Sequence, residues 1–178
     1  MPFRINRFLD SLKNQTSVEE QEQLLKNRAQ FESLTTATQT TKWIGSLMDD
    51  LVAGIGVDNA KLVMESCGQQ CIGQSILEKA RALHKDTRNL DEYLGKLNEA
   101  QIGGGKLRRD NNVIYASYER CYCGSVSKTH SPISPIYCQC SCGWYKKLFE
   151  TILDKPVKVE LLDSIIHGAE ICQFIIHI

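Results

Sequence analysis

Apolar positions recur at helical spacing through the first hundred residues. Ser17-Val18-Glu19-Glu20 is a capping box: Ser17 accepts from the backbone N–H of Glu20, and the Glu20 carboxylate reaches back to the backbone N–H of Ser17. Behind it Leu24, Leu25, Arg28 and Phe31 form a mostly apolar stripe. A threonine-rich stretch, 35–41, interrupts the pattern. Trp43, Ile44, Leu47, Met48, Leu51 and Val52 then repeat at i, i+4, i+8, which is helical spacing. Gly54 and Gly56 end that helix, and Asp58 caps the next, which carries Leu62, Val63, Cys67 and Cys71. Residues 76–83 and 90–97 continue the helical pattern.

The pattern changes at Gly103-Gly104-Gly105, which reads as a flexible linker, since the spacing required for a phosphate loop is absent. Residues 112–126 read as a strand, and Ser131-Pro132 with Ser134-Pro135 as a turn, because proline fixes φ and removes a ladder donor. Residues 136–141 read as the returning strand and 143–153 as an amphipathic helix. Two further strands, 156–165 and 170–178, join around His167-Gly168. The expected fold is therefore α+β in a single domain, 1–178. A helical half, 1–102, packs on a strand-strand-helix-strand-strand half, 106–178. The sheet is four-stranded and antiparallel, with one crossing helix. Alternation turns Cys172, Phe174, Ile176 and Ile178 of the last strand inward.

A chain of 178 residues is long enough to bury roughly two thirds of its unfolded surface, so it needs neither disulfide nor metal merely to fold. Lys+Arg and Asp+Glu are 21 each, a balance that argues against nonspecific nucleic-acid binding and against a polybasic membrane anchor. Apolar runs stay far below the ~20 residues of a membrane helix. The N-terminal residues lack the apolar core of a secretory signal, so the expected compartment is cytoplasmic, where thiols are mostly reduced.

Eight cysteines are the abnormal feature of the composition. Cys121 and Cys123 are two apart, as are Cys138, Cys140 and Cys142. On strands such residues share a face. A hairpin turning at His130-Ser131 would set Cys121 opposite Cys140 and Cys123 opposite Cys138, or, in the shifted register, Cys121 opposite Cys142 and Cys123 opposite Cys140, with Cβ atoms ~5 Å apart. Three readings stay open for that ribbon: a metal site of Cys121, Cys123, Cys138 and Cys140 holding zinc, a thiol-lined ligand pocket, and inert packing of small apolar side chains. Cys67 and Cys71, at i, i+4, share a helix face that is either core or the lid over the ribbon. Cys142 precedes Gly143 and the helix there; at a helix N-terminus its thiolate would be stabilised, which makes it the candidate reactive thiol. The four histidines show no ligand spacing. Ligand contacts are expected from Cys67, Cys71, Tyr122, Trp144 and Cys172, with Tyr115 and Tyr118 as further walls.

Residues 136–178 carry Cys138, Gly143, Val157-Lys158-Val159-Glu160, Ser164, Gly168 and Cys172-Gln173-Phe174. This stretch resembles the 4-vinyl reductase domain, a small-molecule-binding module. Ser164 stands where that pattern has a cysteine, and serine is a poor zinc ligand; Ala169 replaces an acidic residue. Cys67-Gly68-Gln69-Gln70-Cys71 and Cys121-Tyr122-Cys123-Gly124 resemble signatures of bacterial L-2-amino-thiazoline-4-carboxylic acid hydrolase-like proteins. Both resemblances imply the ligand-binding fold of nitric-oxide-sensor haem domains and vesicle-tethering subunits, with helices on one face of an antiparallel sheet. The leading function is binding of a small apolar or aromatic ligand between helices and sheet. The alternative is hydrolysis of a small cyclic C–N or C–S compound by a cysteine thiolate or zinc-bound water. A third reading is an interaction module that assembles as a homodimer.

Overall fold

The computed structural model describes residues 5–129 and 133–178. Seven helices come first: α1 (Ile5–Lys13), α2 (Val18–Leu25), α3 (Arg28–Glu32), α4 (Ala37–Ile55), α5 (Val57–Cys71), α6 (Gln74–Lys85) and α7 (Leu90–Glu99). A 3-10 turn, Ile102–Gly105, leads into the hairpin β1 (Arg108–Asp110) and β2 (Val113–Tyr118). A short α8 (Gly124–Ser127) and a 3-10 turn, Pro135–Cys138, precede α9 (Gln139–Leu153), and β3 (Lys158–Asp163) and β4 (Cys172–His177) close the chain.

Local signals explain most of these boundaries. The Ser17 capping box forms at the start of α2. The stripe from Leu24 to Phe31 is not one helix: the chain breaks at Lys26 and Asn27, and α3 buries none of its residues. The threonine-rich stretch starts α4 rather than interrupting it. Thr36 and Gln39 make a second capping box, and Thr41, Ile44, Leu47, Met48 and Leu51 form the buried stripe behind it. Gly56, with φ of +80°, ends that helix in a conformation that favours glycine.

The sheet is four-stranded and antiparallel, in the order β1-β2-β4-β3. Its inward row includes Ile114 and Ala116 of β2 and Cys172, Phe174 and Ile176 of β4, all buried. Ile178 follows the strand and packs against the same core. The fourth strand is not where it was expected. Residues 136–141 form a 3-10 turn and the start of α9, and the strand is instead Arg108–Asp110. Alternating cysteines over five residues are too short a run to fix the period. The longer pattern decides: Cys138, Cys142, Tyr145 and Phe149, at i, i+4, i+7 and i+11, are all buried. The expected turn at His130, Ser131 and Pro132 lies outside the described residues.

Two cores result. One lies under the sheet, where Leu97, Ile114, Tyr145, Phe149, Phe174 and Ile176 meet. The other lies among the N-terminal helices, where Phe8, Leu12, Ile44, Met48, Leu51 and Val63 meet Ile136 and Tyr137. Helices α5 and α9 cross between them with glycine on both sides. A Cβ on Gly68 would collide with the Cys140 carbonyl, and one on Gly143 with the Glu65 carbonyl. The main chains therefore touch, and Lys146 pairs with Glu65 across the crossing at 3.6 Å. On the far side of α5, Gln70 Nε2 donates to Ser11 Oγ at 2.9 Å, tying in α1.

Candidate functional site

Beside that crossing the two cores do not close on each other, and a cavity of about 290 Å³ remains. Helix α5 contributes Met64, Cys67 and Cys71, and α9 contributes Cys140, Ser141 and Trp144. The inward end of β2 contributes Tyr118, and the loop after it Tyr122 and Cys123. Tyr137, Gln101, Gly103 and Gly104 complete the wall.

Each side chain is placed by a local rule. Tyr118 follows Ile114 and Ala116 on the inward row of β2, so alternation delivers it to the cavity. The same alternation turns Tyr115 to the opposite face, under the Arg108 guanidinium at 4.6 Å. Tyr115 is thus not part of the wall. Cys67 and Cys71 sit one helical turn apart on α5, and the backbone approach at Gly68 brings Cys140 alongside them. The glycine segment 103–105 is not a free linker. It packs against the end of β2, where a Cβ on Gly104, at φ of +86°, would strike the Ser117 carbonyl. Tyr145 Oη donates to the Gly103 carbonyl at 3.0 Å and fixes the segment from below.

The aromatic walls are coupled. Tyr118 stacks on Tyr145 at 5.6 Å and 14°, and meets Tyr122 edge-on at 5.3 Å. Trp144 meets Tyr145 edge-on at 5.4 Å. Burial pushes the Tyr118 and Tyr145 hydroxyls well above the usual range, so both stay neutral.

The cysteines cluster, but not as a ribbon. Cys121 and Cys123 lie in the loop after β2, whereas Cys138, Cys140 and Cys142 lie on the last turn before α9 and on α9 itself. On a helix, residues two apart point in different directions, so Cys140 faces the cavity while Cys142 is fully buried. Cys121, Cys123 and Cys140 still form a run of S–H···S contacts, and Cys67 and Cys71 form another. Cys67 is raised by the bond to Cys71 and by burial, and Cys121 by the bond to Cys123 and by burial. For Cys123 the bond from Cys121 lowers the value, but the bond to Cys140 and burial outweigh it. Among the described residues no three His, Cys, Asp or Glu side chains are arranged to hold a metal ion. The set Cys121, Cys123, Cys138 and Cys140 therefore does not stand as the ribbon site expected from spacing. Cys121 and Cys138 lie outside the cavity wall, near Cys172, whose sulfur accepts from the Ile165 N–H at 3.4 Å. Cys172 likewise sits beside the cavity rather than on it.

Cys142 needs a second correction. Helix α9 begins at Gln139, so Cys142 sits a turn inside it, with no solvent exposure. Burial pushes its thiol up to about 12, and the Glu65 carboxylate adds to the shift. Desolvation outweighs the helix terminus, and Cys142 is a core thiol rather than an activated one. Of the residues expected to contact a ligand, Cys67, Cys71, Tyr122 and Trp144 do line one cavity. Met64 joins Cys67 and Cys71 from the same face of α5, whereas spacing alone missed Gln101, Tyr137 and Ser141. The helical repeat from Cys138 to Phe149 was the signal that would have placed Ser141 and Tyr137.

Residues 5–178 match a family of unknown function, DUF6144. The chain belongs to that family. No curated protein matches this DUF6144 chain. Among solved structures, it is similar to the phenol-responsive sensory domain of the transcription activator PoxR with phenol, at 16% identity and a TM-score of 0.43, over 97% of this chain and 89% of that one. Among the described residues of the DUF6144 chain, no helix is long and apolar enough to cross a membrane.

Proposed function

We propose that this DUF6144 protein binds a small, largely apolar, single-ring molecule in the cavity between α5, α9 and the end of β2. The observation that carries the reading is the wall itself: Tyr118, Tyr122, Tyr137 and Trp144 with Met64 and four thiols, around about 290 Å³. A dry apolar cavity of about 150 Å³ already accepts benzene, and ligand sites begin near 300 Å³. The volume therefore suits one ring with small substituents. Thiols kept protonated by burial and by mutual hydrogen bonds act there as small, polarisable, neutral surface. That chemistry favours a binding pocket over a thiolate nucleophile, and the absence of a three-ligand cluster among the described residues gives a zinc-bound water no support.

The test is titration with 1,3-dimethylbenzene and 3-methylphenol, read through Trp144 fluorescence. The chain has two tryptophans, so a Trp43→Phe background isolates the signal. Saturable binding of at least one ring compound at one site per chain is expected. About eight non-hydrogen atoms at roughly 1 kcal/mol each limit the Kd to the micromolar range or weaker. Absence of saturable binding by both compounds would overturn the reading.

A further inference from the structure

Resting on the cavity reading above, we infer that the site takes ring compounds that carry trivalent arsenic, with the ring against the aromatic wall and the arsenic atom bridging the sulfurs of Cys67 and Cys71.

The two thiols supply the first half of the argument. Cys67 and Cys71 stand one helical turn apart on α5, and both line the cavity. Residues so placed have Cβ atoms about 5–6 Å apart. Helical side chains lean back toward the preceding turn, so the Cys71 sulfur is carried toward that of Cys67. A single atom with two bonds to give spans such a pair. Cys67 is 4% exposed, so a reagent meets both sulfurs together from inside the cavity. Cys123 and Cys140 also face the cavity, but they belong to a loop and to α9, and no helical turn fixes their spacing.

The wall supplies the second half. Trp144 stands across the cavity from the pair, and Tyr118 and Tyr122, edge-on at 5.3 Å, extend the aromatic surface. An aryl group on the arsenic covers these rings, and a methyl group leaves them bare. The bonding step balances without a redox partner. An arylarsonous acid, ArAs(OH)2, exchanges its two hydroxyls for the two sulfurs. Two S–H and two As–O bonds break, two As–S bonds form, and each thiol proton leaves with a hydroxyl as water. Arsenic stays trivalent throughout. Reactants and product are all neutral, so the exchange places no charge among the rings.

Phenylarsonous acid and methylarsonous acid, each titrated in competition with dithiothreitol, test the inference. The competitor cancels the intrinsic affinity of each arsenic atom for a pair of thiols. Binding is read through Trp144 fluorescence in the Trp43→Phe background. The chain is expected to hold one phenylarsenic group and to favour it over the methyl compound by at least about tenfold, the scale of burying a ring. Saturating 1,3-dimethylbenzene should compete with it. Cys67→Ser and Cys71→Ser should each weaken phenylarsonous acid binding by at least about a hundredfold, because one thiol alone loses the chelate. Melting temperatures check that both variants fold, and the half-buried Cys71 carries the test if Cys67→Ser does not fold. Equal affinity for the phenyl and methyl compounds, or phenyl affinity that survives Cys71→Ser, overturns the inference. So does failure to bind phenylarsonous acid while 1,3-dimethylbenzene saturates, and the cavity reading then stands. Failure of the arsenicals and the plain ring compounds alike overturns both.

Discussion

Helices α5 and α9 meet in two ways within one turn of each other. At Gly68 and Gly143 their main chains are in contact, with no room for a single added carbon. Beside that point, from Cys67 and Cys71 across to Cys140 and Trp144, they part around about 290 Å³ of open space. The difference comes from side-chain size. Glycines remove the Cβ atoms that would set the helices apart. Small thiols opposite large, mutually stacked rings then cannot fill the wedge that opens beside a tight crossing. The tight contact and the open space are two sides of one crossing, set by which side chains each helix presents there.

Breaking the contact should have the largest effect. Gly143→Ala forces a methyl group onto the Glu65 carbonyl, and Gly68→Ala forces one onto the Cys140 carbonyl. Backbone cannot yield as a side chain does, so each is expected to cost about 3 kcal/mol or more. Gly95→Ala is the control. It lies within α7 with nothing near the position of the new carbon, and should stabilise by up to ~1 kcal/mol through helix propensity. Urea unfolding midpoints measure all three. An unchanged midpoint for Gly143→Ala would refute the close crossing.

Filling the open side should act on binding rather than on folding. Cys71 is half-buried at the end of α5 and faces the cavity. Cys71→Leu is expected to weaken 1,3-dimethylbenzene binding by at least about tenfold, with stability within ~1.5 kcal/mol of wild type. Fluorescence titration and thermal melting on the same sample separate the two effects. A large loss of stability with ligand affinity intact would show Cys71 to be core.

How much of this was legible in the sequence differs between the two regions. The sheet side reads well because strand alternation is local: Cys172, Phe174 and Ile176 are inward as the pattern requires, and the helix before them was placed within a few residues. The cysteine segment reads badly because its signals conflict. Spacing of two in Cys138, Cys140 and Cys142 mimics a strand, while the repeat that places them on a helix emerges only when Tyr145 and Phe149 are included. The partners of Cys67 and Cys71 were expected among the later cysteines, and Cys140 and Cys123 do share their cavity. What brings them there is the pair Gly68 and Gly143, and a close approach between residues so far apart in the chain has no local signature. The glycine segment 103–105 looked like a linker for the same reason, since its packing against Ser117 and Tyr118 is purely tertiary.

The buried thiols on the contact side give the crossing a pH signature. Cys142 is pushed up to about 12 by burial, with the Glu65 carboxylate adding to the shift. Its unfolded value is near the ordinary thiol, about 8.5. Between those values the folded state holds a proton that the unfolded state has lost, so stability falls as pH rises. The contribution is whole below the unfolded value and lost on approaching the folded one. Raising the pH from about 8 to about 10.5 should therefore lower the wild-type melting temperature more than that of Cys142→Ala. Equal slopes would show that Cys142 is not a shielded thiol. Alkylation at about pH 8 should also label Cys142 far more slowly than an exposed cysteine.

The smallest effect expected is that of the ion pair spanning the crossing. Lys146 Nζ lies 3.6 Å from Glu65 Oε2, with side chains 31% and 21% exposed. A partly solvated pair of this kind is worth about 0–1 kcal/mol and is screened by salt. The neighbouring glycines already bring the same two helices into main-chain contact, so the pair has little left to position. Lys146→Met keeps the aliphatic stem of the side chain over α5 and removes only the charge. It should shift the urea midpoint by an amount worth ~0.5 kcal/mol or less, and the shift should shrink further at about 1 M salt. The double variant with Glu65→Gln should be no less stable than the single one, since it also removes the carboxylate left unpaired beside Cys142. A loss comparable to that of Gly143→Ala would mean that charge, rather than the absence of two Cβ atoms, holds α5 against α9.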